Sequence, residues 1–308
     1  MKETKKIIDY AIAAIYIINV SFISSYILSI LKGIEGVELS IEGFPIYIGI
    51  VPLVIPAPMT GTDLALILVG LYAAMSVYDS IREVDGDRPI TKMFLLGTAS
   101  LVAILIIEAI QSRFGIETGM LEVDSDYVFF LSAMQAPIAE EIGFRLMIIG
   151  LISLLLTNPN DGWETLTGAF LHPYSVHKGK REIKILYTIA VLQAVLFGMA
   201  HLLAGGGWDV GKVSTASIAG IYLGYLFIKY GLTTAILGHA FYNVYLLSMG
   251  YANTPTLPVD HMISTYSLIL FIATLIVGGL YLIYLAYSFY RGWTGSGKIQ
   301  VDELPNLP

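Results

Sequence analysis

The sequence contains no cysteine. Disulfides, thiol nucleophiles and cysteine-bearing zinc sites are excluded together, and the redox compartment is left undefined. Histidine is scarce too, with five in 308 residues, so any catalysis must draw on carboxylates, these imidazoles, Ser or Tyr. Charge is the third shortage: 13% of residues are charged against 56% hydrophobic, and the mean hydropathy of +0.74 lies far outside the range of a soluble domain. The composition is that of a polytopic integral membrane protein. No basic stripe accompanies the formal charge of −7, which argues against nucleic acid as a partner.

A spanning helix needs roughly 20 mostly apolar residues. Eight segments qualify: 8–31, 62–79, 93–111, 127–156, 185–204, 213–230, 232–249 and 264–290. The fold class expected is therefore all-α, a single transmembrane helical domain over 1–308 with about eight helices. Residues 2–6 give the first segment a positive leader, but its apolar run is too long for a signal peptide and lacks a small-residue cleavage site, so it reads as a retained span. The segment 44–58, "FPIYIGIVPLVIPAP", is too short and proline-rich for a further span and reads as interfacial or re-entrant. The connection 158–184 is polar and long enough for a surface helix, and 292–308 has the composition of a disordered tail. Gly220 and Gly224 form a small-xxx-small pair, as do Ala139 and Gly143, and both suggest close helix packing.

Lys and Arg concentrate in short cytoplasmic loops. With the N-terminus inside, the inner segments carry thirteen of them and the outer segments only Lys32, Arg113 and Lys212. This predicts an N-in, C-in topology.

Against that apolar background, "APIAEEIGFRLMIIG" (136–150) places Glu140, Glu141 and Arg145 within a span. At the bilayer centre each charge costs roughly 2.5–3.5 kcal/mol, so the trio approaches ~10 kcal/mol unless compensated. Helical positions four apart share a face, whereas those five apart diverge by about 140°. Arg145 is thus set to pair with Glu141, while Glu140 points about 100° away and needs another environment. Pro137 just upstream loosens the backbone ladder and admits water. Two other spans contribute polar groups: His201 in "FGMAH", and His239 with Asn243, four apart, in "HAFYN". A carboxylate, two imidazoles and a carboxamide supply a base, a proton carrier and donors for a developing oxyanion. His172, His177 and His261 read as solvated loop residues. Glu108 has no evident role, and Asp79 lacks the partner motif of an aspartyl protease.

These residues carry a resemblance. "EEIGFR", "FGMAH" and "HAFYN" resemble the EExxxR, FxxxH and HxxxN motifs of the CAAX protease and bacteriocin-processing family, which includes the Ras-converting-enzyme type of prenyl endopeptidase. The resemblance covers about 125–250. It implies an eight-helix intramembrane glutamic protease without metal or other cofactor, acting near the C-terminus of prenylated or otherwise lipid-modified proteins within membrane lipid. By the same resemblance Glu140 and His201 activate water, His239 and Asn243 hold the oxyanion, and Glu141 with Arg145 support the site. Leu146 departs from the glycine that many relatives have after the arginine.

Other readings use the same residues. Glu140, His201 and His239 have the composition of a His2Glu zinc site, and a carboxylate–histidine relay also suits a proton-coupled transporter or a scaffold. HExxH and GxSG signatures are absent, which argues against the familiar zinc and serine intramembrane proteases. The charge-derived topology sets His201 near the outer end of its span, whereas prenylated C-termini are presented from the cytoplasm.

Overall fold

The computed structural model describes residues 2–35, 40–48, 51–252 and 260–293. The chain enters through a rod, α1 (2–35), whose α turns are interrupted by a π segment, Ile18–Ile23. An antiparallel hairpin follows, β1 (Ser40–Ile48) and β2 (Val51–Thr60). Then come α2 (Gly61–Ile81), α3 (Pro89–Arg113), the rod α4 (126–155), the short surface helices α5 (Trp163–Leu171) and α6 (Tyr174–His177), α7 (Arg181–Ala204), α8 (Gly211–Tyr230), the rod α9 (232–252) and α10 (Asp260–Trp293).

Six of these helices are long and apolar enough to cross a membrane: Ile7–Gly33 within α1, then α2, α3, α7, α8 and most of α10. The other two expected spans, α4 and α9, are helical but broken into α and π pieces. They are the two that carry Glu140, Glu141, His239 and Asn243. Outward faces such as Leu192, Leu196, Ile272 and Ile276 stay exposed, as suits contact with lipid. The protein is a multi-pass membrane protein.

Lipid offers helices no hydrophobic drive to associate, so close packing and cross-helix hydrogen bonds hold the bundle. A Cβ at Gly198 of α7 would meet the Val213 carbonyl and Ser217 Oγ of α8, and one at Gly220 would lie 2.9 Å from the Ala194 backbone. The small-residue pair Gly220 and Gly224 therefore serves contact within the chain. Tyr16 donates to the Leu237 carbonyl at 2.7 Å, Tyr222 to that of Met93 at 2.8 Å, and Ser24 and Ser248 share a bond of 2.8 Å.

The loop 82–88 gathers the polar ends of several helices. Asp79, fully buried, accepts from Arg82 Nε at 2.7 Å and from Thr234 at 2.6 Å. Asp85 accepts from Lys178, from Lys229 at 2.7 Å and from Tyr174 at 2.7 Å. Arg88 pairs with Asp9 at 3.0 Å. The hydrogen bonds from Lys178 and Lys229 hold the Asp85 carboxyl well below the usual carboxylate range, against a smaller desolvation effect. At the opposite end, residues 117–122 zip onto 206–211 through backbone bonds such as Glu122 to Gly206 at 2.8 Å and Gly211 to Glu117 at 2.8 Å.

Two expectations, those for His177 and His172, need correction, and one segment takes a form that was not anticipated. The segment 44–58 is a β-hairpin, with Phe44 paired to Ile55; its prolines are tolerated because both strands of a two-stranded sheet are edges, and its β1 strand packs against α4. His177 is buried, within 3.1 Å of Ser153 Oγ and 3.2 Å of its carbonyl. His172 donates from Nε2 to the Lys229 carbonyl at 2.8 Å; burial pushes its pKa down. The His261 side chain and the tail from 294 lie outside the described residues.

Candidate active site

Pro137 sits inside the first part of α4, Asp126–Glu140, and cannot donate to the ladder. Nearby, the Met134 carbonyl is taken up by the Tyr72 hydroxyl at 2.5 Å, and from Glu141 to Gly150 the backbone runs as a π-helix. Such wide turns re-aim side chains and recur at functional sites. Here they present the acidic pair to α7 and α9. A second π segment, Phe241–Leu246, carries Asn243, and His239 lies just before it.

Glu141 and Arg145, both without exposure, pair at 3.0 Å as the spacing of four requires. The same Glu141 oxygen, Oε1, also meets His239 Nδ1 at 2.8 Å. Glu141 thus braces a second residue that the sequence did not connect to it, 98 positions away. Because a carboxylate only accepts, Nδ1 carries the proton, and in the neutral ring Nε2 is left as an acceptor. Nε2 then faces the Asn243 amide at 3.3 Å and Glu140 Oε2 at 3.7 Å, too far for a hydrogen bond to that carboxylate. Glu140 is 21% exposed, yet Oε2 is enclosed with no hydrogen-bond partner among the described residues. Buried acceptors ordinarily find a donor, and among the described residues the chain supplies none to this one.

His201 approaches from α7. Its Nδ1 donates to the Phe197 carbonyl at 2.9 Å, which fixes the ring and leaves Nε2 as a lone pair. It lies within the Coulombic field of Glu140, but no hydrogen bond or ion pair joins the two among the described residues. Phe197 is the aromatic centre of the site. Its ring stands edge-on to His201 at 4.8 Å, to Phe144 at 5.0 Å and to His239 at 6.0 Å, and the Arg145 guanidinium lies 4.2 Å from its centre. Arg145 Nε and Nη2 find no hydrogen bond, so the ring face supplies part of what neutralises that cation. Trp208, 6.1 Å from His201, closes the side toward the 206–211 loop. The motif "FGMAH" contained Phe197, but nothing in the sequence marked Trp208.

The four expected catalytic residues and the two supporting ones therefore belong to one region where α4, α7 and α9 meet. Among the described residues no three of His, Asp and Glu converge in an arrangement that holds a metal. Glu108 and Lys212 border the region from α3 and α8, and Lys212 senses the charges of both Glu140 and Glu108.

Residues 124–245, which contain all six expected site residues, match the profile of the family described as type II CAAX prenyl endopeptidase, Rce1-like. Over this segment, about two fifths of the chain, the protein is similar to the Rce1-like family. Neither the curated proteins nor the solved structures give a match. The Rce1-like segment begins at the N-terminal turn of α4 and ends within the π segment of α9, so α4 through α9 form its core, and α1, the hairpin, α2, α3 and α10 surround it.

Proposed function

We propose that the protein is an intramembrane endopeptidase of the glutamic type that hydrolyses a peptide bond near the C-terminus of prenylated CAAX proteins, without a metal ion. The match of residues 124–245 to the Rce1-like family supports peptidase chemistry. The observation that carries the residue roles is the Arg145–Glu141–His239 chain beside an unpaired, enclosed Glu140 oxygen.

In this scheme Glu140 accepts a proton from the attacking water, and the His201 Nε2 lone pair aligns that water. The water oxygen bonds to the scissile carbonyl carbon, and the carbonyl electrons move to its oxygen. Asn243 Nδ2 and the Nε2 edge of His239 face the oxyanion. Glu141 holds the His239 ring through Nδ1, so that its Nε2 edge, when it carries a proton, is aimed at the oxyanion. Collapse then expels the amine, which takes its proton from Glu140. Preorganised donors in a site screened from water are worth more than the same groups in solvent.

The test is turnover of a farnesylated CAAX peptide by purified protein, beside an unprenylated peptide and the Glu140→Gln variant, each with and without a chelator. Prenyl-dependent, chelator-resistant cleavage lost in the variant is the expected result. Wild-type turnover in Glu140→Gln would overturn the role of Glu140, and loss of activity to the chelator would replace the metal-free scheme with a His2Glu one.

A further inference from the structure

Lys212 is the cation that the proposed mechanism leaves unused. It sits in the first turn of α8, one residue after the zipped 206–211 loop. Its ammonium lies 3.8 Å from the centre of the Trp208 ring. No carboxylate pairs with it among the described residues, although the charges of Glu140 and Glu108 both act on it. An ammonium needs donors' partners as well as a ring face, so a lysine held this way at a catalytic site has capacity for an anion.

Its placement suits one anion in particular. In a C-a-a-X sequence the prenylated Cys is followed by three residues and the free carboxylate. A cut directly after the Cys, which the inference takes as its premise, would set that carboxylate three residues from the reacting carbonyl, or about 10 Å in extended chain. The spacings of 6.1 Å from His201 to Trp208 and 3.8 Å from Trp208 to the ammonium put the Lys212 charge no farther than about 10 Å from the His201 ring, within reach of a carboxylate at that distance. Trp208, which meets both the His201 ring and the Lys212 ammonium, offers an apolar wall to the two middle residues.

We infer that Lys212 receives the C-terminal carboxylate of the substrate and so measures the cut three residues from the end of the chain. This rests on the endopeptidase reading above and adds a specificity determinant to it. A charge-assisted contact of this kind corresponds to about tenfold or more in affinity, and because it is made equally in ground and transition states it falls on KM.

The experiment compares two farnesylated peptides of one sequence, ending in a free carboxylate or in an amide, with the parent protein, Lys212→Met and Lys212→Arg. The parent should favour the acid over the amide by about tenfold or more in kcat/KM. Lys212→Met should bring that ratio close to one through a raised KM for the acid, and Lys212→Arg should restore most of it. A ratio near one in the parent would overturn the inference while leaving the endopeptidase reading intact. So would an equal loss on both peptides in Lys212→Met, since that is how a mere counter-charge for Glu140 would behave. If the parent cuts neither peptide, the endopeptidase reading itself fails and the role of Lys212 falls with it.

Discussion

Glu140 and Glu141 are adjacent and chemically identical, yet their surroundings assign them opposite consequences on mutation. Glu141 offsets a fully buried Arg145 and orients His239. Removing one member of a buried pair strands the other at a cost of about 3–5 kcal/mol. Glu141→Gln should therefore lower the melting temperature sharply in detergent as well as abolish turnover. Glu140 has no such partner, so Glu140→Gln should melt close to the parent while losing activity. Asn243→Ala removes one proposed oxyanion donor, and kcat should drop by about 10²–10³ with little change in melting. An unaltered kcat would take Asn243 out of the mechanism. The pairing of Glu141 with Arg145 was legible from spacing alone. That of Glu141 with His239 was not, because it depends on how α4 and α9 cross. Lys212 registered in the sequence only as one of three outer-loop charges, since its ring partner and its nearness to His201 arise from the turn between α7 and α8.

At the scale of the element, the proline in α4 and the glycine in α7 act in contrasting ways. A proline within a helix costs about 3 kcal/mol, so Pro137→Ala should stabilise the rod. It should also restore regular turns, rotate the acidic pair away from His239 and depress kcat. A melting temperature that rises while activity falls is the expected signature, read from thermal unfolding and peptide turnover on one preparation. Gly198→Ala should do harm of another kind, because the new methyl meets a backbone carbonyl of α8 that cannot move alone. A loss of about 1–3 kcal/mol is expected for such overpacking. The π character of α4 could be anticipated from Pro137 only as a loosened ladder. The hairpin at 40–60 was missed because alternating proline weakens both helix and strand signals, and the contact of β1 with α4 is what gives the segment its place. His177 was taken for a loop residue by its flanking charges, but the turn into α6 carries it beneath Ser153 of α4.

Across the whole molecule, the polar groups divide between two ends. One end holds the Asp85 clasp with Lys178 and Lys229, and the other holds the zipped loops beside Trp208 and Lys212. The Asp85 carboxyl has a lowered pKa in the folded protein, so its contribution to stability is present above the unfolded value of about 4 and is lost as pH falls through the folded one. The melting difference between the parent and Asp85→Asn should accordingly hold constant from pH 8 to about 5 and shrink only in stronger acid. Topology can be read as directly, because the chain has no cysteine to confuse labelling. Single cysteines at Lys180 and at Phe114, both exposed and at opposite ends, should react with a membrane-impermeant thiol reagent from opposite sides. The bias of Lys and Arg predicts that Phe114→Cys is labelled from outside intact cells, whereas cleavage of prenylated C-termini requires the end with Trp208 and Lys212 to face the cytoplasm. Labelling of Phe114→Cys from inside would therefore favour the prenyl substrate over the charge-derived topology.

The separation of clasp and site by the thickness of the bundle also bears on how the protein meets its surroundings. Reconstituted in one orientation in a sealed vesicle, it would present its stabilising ionic lock to one solution and its Lys212 mouth to the other. Acid or salt added on a single side would then tune endurance without touching catalytic rate, or rate without touching endurance, according to the compartment that received it.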